Sequence, residues 1–87
     1  LTISGTGPMT EYSSSSAVPW HSVKSQIKNV VIDNGVTSIC TYAFYYNTNL
    51  ESVVIPGSMT GAGEAFLFGA AVKTIYIYFS IFIFIPI

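Results

Sequence analysis

The chain has no arginine, one cysteine, one histidine and only 8 % charged residues over a length of 87. Each scarcity argues against a class of function. Gripping a nucleic-acid backbone takes clustered Lys and Arg, whereas Lys24, Lys28 and Lys73 are scattered and outnumbered by Glu11, Asp33, Glu51 and Glu64, for a net charge of -1. No nucleic-acid partner is expected. Cys40 alone makes neither an intrachain disulfide nor a multi-thiolate metal site. His21 alone suggests neither a zinc site nor a Ser-His-Asp arrangement, so no metal, no cofactor and no enzymatic activity are expected. A chain this short buries little surface. It opens on Leu1 without a charged-then-apolar leader, so any export signal is expected upstream or not at all.

What the chain does have is a period. IKNVVI (27–32) lies over LESVVI (50–55) at an offset of 23 residues, and VKTIYI (72–77) follows at 22. Ala43-Phe44 recurs as Ala65-Phe66, also at 22, so one residue is lost between Thr60 and Ala65. A repeat of this length dictates a stack of like units. Each copy opens apolar-x-x-apolar-x-apolar: Ile27, Val30, Ile32; Leu50, Val53, Ile55; Val72, Ile75, Ile77. The last two of each triple alternate with period two and are β-branched, which predicts a short strand with one buried face. Asp33-Asn34-Gly35 and Pro56-Gly57-Ser58 then predict turns. A second anchor (Val36 with Ile39, Met59 with Ala62) and an aromatic residue (Phe44, Phe66) complete a strand, a turn and a returning arm.

No such unit buries its apolar face alone. Burial gains roughly 1.5 to 3 kcal/mol per Ile, Val or Phe, and ordering costs roughly 1.5 kcal/mol per residue. The isolated segment is therefore expected to be weakly folded or to aggregate.

From Ile27 to Pro56 the sequence resembles the BspA-like leucine-rich repeats of bacterial surface proteins. The carrying residues are Gly35-Val36-Thr37-Ser38-Ile39, Ala43-Phe44, Leu50 and Ser52-Val53-Val54-Ile55-Pro56. The entry stretch is similar as well, in residues 1–9 and in Ala17-Val18-Pro19-Trp20. The chain departs from the family pattern at Cys40, where Gly is usual, and at Asn47, where Cys is common. The resemblance implies a mainly β fold, a short leucine-rich-repeat solenoid of parallel stacked strands with irregular or single-turn helical returning arms. It divides the chain into an N-terminal cap (1–26), repeats (27–49, 50–71 and a third strand 72–77) and a diverged apolar tail (78–87), with further repeats of the same chain expected. It also implies an extracellular or cell-surface location and a non-catalytic scaffold that binds protein or glycan on a host or neighbouring cell. The alternative role is a structural stalk with no ligand of its own.

Within the cap, Leu1 and Ile3 read as a strand, residues 13–16 as a polar loop and residues 22–26 as a single helical turn. Trp20 suits the open end of the stack, its indole N–H requiring a partner. Gly61-Ala62-Gly63 lacks the Gly-Lys-Ser/Thr ending of a phosphate loop and reads as a decayed arm. Glu51 and Glu64 fall on different parts of adjacent units, with nothing to raise one pKa for glycoside hydrolysis. Residues 74–87 are uncharged but number 14, short of the roughly 20 that span a bilayer as a helix. Their alternation favours a long aggregation-prone strand over membrane insertion.

In a parallel stack the residues between the buried ones line up outward. Asn29, Ser52 and Thr74 make a polar row, and Val31, Val54 and Tyr76 an apolar one. Lys28, Glu51 and Lys73 alternate in sign beside them. The first two rows form the candidate protein-binding face.

Overall fold

The computed structural model describes residues 1–63 and 66–78. The expectations for Glu64 and Ala65 and for the tail beyond Tyr78 lie outside the described residues. The strands are β1 (Thr2–Ile3), β2 (Gly7–Pro8), β3 (Asn29–Ile32), β4 (Val36–Ile39), β5 (Ser52–Ile55), β6 (Gly61–Ala62) and β7 (Thr74–Ile77). They form two parallel sheets of order β1-β3-β5-β7 and β2-β4-β6.

The larger sheet follows the period in the sequence. Asn29 pairs with Ser52, Val30 with Val53 and Val31 with Val54. Ser52, Val53, Val54 and Ile55 then pair with Thr74, Ile75, Tyr76 and Ile77. Both the 23-residue and the 22-residue offsets are thus ladder registers, so the residue lost between Thr60 and Ala65 is absorbed before the third rung. Alternation sets the faces: Val30 and Ile32 of β3 are buried while Asn29 and Val31 are exposed. β1 extends the same ladder, pairing Thr2 with Val31 and Ile3 with Ile32. Beyond shielding the first repeat, the cap supplies a rung of its own.

The returning arms are more regular than expected. β4 pairs in parallel with β2 (Gly7 to Val36, Pro8 to Ser38) and with β6 (Ser38 to Gly61, Ile39 to Ala62). Each unit therefore contributes to two sheets before it closes through turns over residues 41–46 or 66–69. The cap is also more ordered, with 3-10 helices at Ser15–Ala17 and His21–Gln26 where a loop and one turn were expected.

Between the sheets lies a core of Ile27, Val30, Ile32, Val36, Ile39, Phe44, Leu50 and Val53, joined by Val18, Trp20, Cys40 and Ala43. Trp20 closes one end of it. Its ring stacks on Phe44 with centroids 5.5 Å apart, and its Nε1–H donates to the Ala43 carbonyl at 2.9 Å. Burial and a satisfied indole make Trp20 a lid on the core, in keeping with its capping role. Phe44 in turn donates its backbone N–H to Phe66 O at 2.7 Å, which ties the main chains of the two turns together, and Phe66 packs partly buried against the core.

Two glycines let backbones approach closely. Gly35 has φ +113°, and a Cβ there would sit 2.6 Å from Gly5 O. At Gly63 a Cβ would overlap the backbone of Cys40 and Thr41, while its N–H donates to Ile39 O at 2.7 Å. The Gly61-Ala62-Gly63 stretch is thus a working part of the second arm, since only a residue without a side chain fits against the first unit.

Candidate functional site

The six residues expected to form a binding face come together in the large sheet. Asn29, Ser52 and Thr74 are successive partners in one row, and Val31, Val54 and Tyr76 in the next. The apolar row is open to solvent at Val31 (37 % exposed) and Tyr76 (50 %), with Val54 half-buried between them. Thr2, paired with Val31, continues that row into the cap, an extension the repeat pattern does not show. In the polar row, Ser52 Oγ–H donates to Asn29 Oδ1 at 2.6 Å, which holds two of its members to each other.

Lys28, Glu51 and Lys73 also stack, one position ahead of the strands. Their main chains are linked, Glu51 N–H to Lys28 O at 2.7 Å and Lys73 N–H to Glu51 O at 2.9 Å. Register at this edge is therefore held by backbone hydrogen bonds, which outweigh an exposed charge column worth roughly 0 to 1 kcal/mol per pair. Hydroxyls and amides reinforce the registration elsewhere. Ser58 Oγ accepts from Gly35 N–H and donates to Val36 O, both at 2.8 Å, and Asn49 Nδ2 donates to Ser25 O at 2.7 Å.

On the side away from the strand rows the turns carry an aromatic cluster that the repeat pattern left unremarked. Tyr45 stands edge-on to Tyr42 at 5.0 Å and to Tyr46 at 4.6 Å, and stacks on Phe68 of the next unit at 5.5 Å. Tyr42 and Tyr46 have φ of 56° and 53°. A left-handed backbone costs a bulky residue roughly 1 to 2 kcal/mol, and stability alone would favour Gly or Asn there. The only sequence signal for the cluster is the density of aromatics in Tyr42-Ala43-Phe44-Tyr45-Tyr46.

Cys40 is buried in the core, and its thiol is pushed above its ordinary value by desolvation first and by the nearby Glu11 carboxylate second. It is poorly suited to act as a nucleophile, which requires the thiolate. Among the described residues no group of three or more His, Cys, Asp or Glu is placed to hold a metal ion. Nor, among the same residues, is any helix long and apolar enough to cross a membrane.

The whole arrangement has a solved counterpart. It superposes on the crystal structure of a leucine-rich repeat protein from Eubacterium ventriosum with a TM-score of 0.83 and 28 % sequence identity over 87 % of this chain. The chain spans only 20 % of that protein's length. No curated protein matches it. The family model that matches is the BspA type leucine-rich repeat region (6 copies), over residues 21–84. BspA-type repeats usually belong to bacterial surface proteins and serve as generally non-enzymatic repeat scaffolds. Parallel rungs at offsets of 23 and 22 residues, a shared fold and a family match over most of the sequence lead to one conclusion: the chain belongs to the BspA-type leucine-rich-repeat family.

Proposed function

We propose that this repeat scaffold works as an adhesion module outside the cell, binding a protein partner through the outward rows Asn29, Ser52, Thr74 and Val31, Val54, Tyr76. The supporting observation is the apolar row, which runs unbroken across three rungs and stays exposed at both Val31 and Tyr76. Extended and flanked by a polar row, such a surface suits a broad protein contact. The reading involves no chemistry, consistent with a core thiol held protonated and a lone His21.

A stalk role is the alternative, and one observation favours it. Ser52 and Asn29 satisfy each other, so part of the polar row is spent on holding the stack together.

One experiment separates the two readings. Beads coated with the chain, carried within a longer run of repeats and first shown by circular dichroism to be folded, are applied to cultured epithelial cells, beside beads carrying Val31→Ser, Val54→Ser and Tyr76→Ser together under the same fold control. Adhesion predicts that the triple variant loses most bead attachment while keeping its fold. Equal attachment by both proteins, or none by either, would support the stalk.

A further inference from the structure

A second surface lies away from the strand rows, where the cap crosses the first unit's turn. It is a recess of about 390 Å³, with Tyr12 and residues 13–15 on one wall and Thr41, Tyr42 and Tyr45 on the other. That size falls within the roughly 300 to 1,000 Å³ of small-ligand clefts.

Three features of the recess constrain its occupant. The first is charge: the lining contains no Lys, Asp or Glu. The nearby Glu11 carboxylate is committed to the wall itself, accepting from the Thr41 N–H at 3.0 Å. An anionic ligand would lose its hydration with no cation in the lining to replace it and with the Glu11 charge nearby, and a lining of hydroxyls is matched by a neutral ligand. The second is composition. Every lining residue carries a hydroxyl, and three of them also present an aromatic ring. Rings pack against C–H faces, and hydroxyls both donate and accept. A pyranose ring offers both surfaces, a C–H face and a rim of hydroxyls. The third is preorganisation. Tyr42 is 37 % exposed on a left-handed backbone, and its neighbour Tyr45 is backed by Phe68 of the next unit at 5.5 Å. The platform is therefore braced by the repeat stack before any ligand arrives.

We propose that this recess binds a neutral carbohydrate, with a sugar ring packed on Tyr42 and Tyr45 and its hydroxyls bonded by Tyr12, Thr41 and the serine wall. The site is separate from the strand face and does not depend on the reading given for that face. A proline-rich peptide also packs on aromatic rings, but its apolar rings offer the hydroxyl-rich lining fewer hydrogen-bonding groups than a sugar does.

The test is calorimetric titration of the full chain with cellotriose, maltotriose and triacetylchitotriose, alongside sialyllactose and a neutral proline-rich decapeptide. At least one neutral trisaccharide should bind saturably at millimolar concentration or below. Tyr42→Asn removes the ring at a backbone that Asn tolerates, and should weaken that binding roughly tenfold, in line with an aromatic contact. Tyr12→Phe removes one hydroxyl and should weaken it severalfold. The triple serine variant of the strand face should bind the sugar as the parent does. The proposal is overturned if no neutral trisaccharide saturates by about 10 mM, an affinity limit of only a few kcal/mol. It is equally overturned if sialyllactose or the peptide binds more tightly than every neutral sugar, or if neither Tyr42→Asn nor Tyr12→Phe changes the affinity.

Discussion

Ile32 and Ile77 occupy matching places in one ladder, yet Ile32 is 1 % exposed and Ile77 is 59 % exposed. The same gradient runs down each apolar column. Ile27, Val30 and Ile32 are all buried; Leu50 and Val53 are buried with Ile55 half-buried; Val72 is half-buried with Ile75 and Ile77 exposed. In the arms, Val36 and Ile39 are buried, Met59 is half-buried and Ala62 exposed. An identical residue pattern therefore yields different energetics according to how many rungs flank it. The first unit has a cap rung on one side and a repeat on the other, whereas among the described residues β7 pairs with β5 alone. In a solenoid, stability belongs to interfaces between units as much as to the units themselves.

The comparison breaks most sharply at matched isoleucines. Ile32→Ala should cost about 2 to 5 kcal/mol, as for a buried large-to-small change, and Ile77→Ala no more than about 0.5 kcal/mol. Urea denaturation of the two variants followed by circular dichroism measures both, and equal losses would dissolve the distinction between the two ends. A smaller effect is expected where the units touch. Gly63→Ala forces a methyl into the backbone of Cys40 and Thr41, and should destabilise by about 1 to 3 kcal/mol, as overpacking does. Gly61→Ala, two residues away and facing open space, is the matched control and should stay within about 0.5 kcal/mol of the parent.

Trp20→Phe sharpens the account of the capped end. It keeps an aromatic ring on Phe44 but leaves the Ala43 carbonyl without its donor, for an expected loss of about 1 kcal/mol in the same denaturation assay. The smallest effect concerns Cys40. Its thiol is harder to ionise folded than unfolded, so the folded state holds the proton to higher pH. Stability should accordingly be flat below the ordinary thiol value of 9.0 and fall as pH rises through and above it. Cys40→Ala should abolish that alkaline slope, and in the parent iodoacetamide should label Cys40 far more slowly under native conditions than in urea.

Much of the large sheet was legible in the sequence because apolar triples recur at a fixed spacing, and a ladder register is that spacing. The row Val31, Val54, Tyr76 follows from the same arithmetic. The second sheet was not legible. β2 (Gly7–Pro8) and β6 (Gly61–Ala62) are two residues each, each with a Gly, and are defined by a few main-chain bonds to β4 rather than by side-chain periodicity. The burial gradient was hidden for the opposite reason, since the triples look alike and only their place in the stack differs. The Tyr12, Tyr42, Tyr45 recess depends on residues about 30 apart meeting across a left-handed turn, which no local pattern encodes.

The parallel stacking itself is tested most directly by nuclear Overhauser effects on the isotopically labelled full chain. The account predicts interstrand contacts between backbone amide and α protons that link the Val30 region to Val53 and the Val53 region to Ile75, in parallel geometry at those registers. Close α-to-α proton contacts of antiparallel type, or links at another spacing, would contradict it.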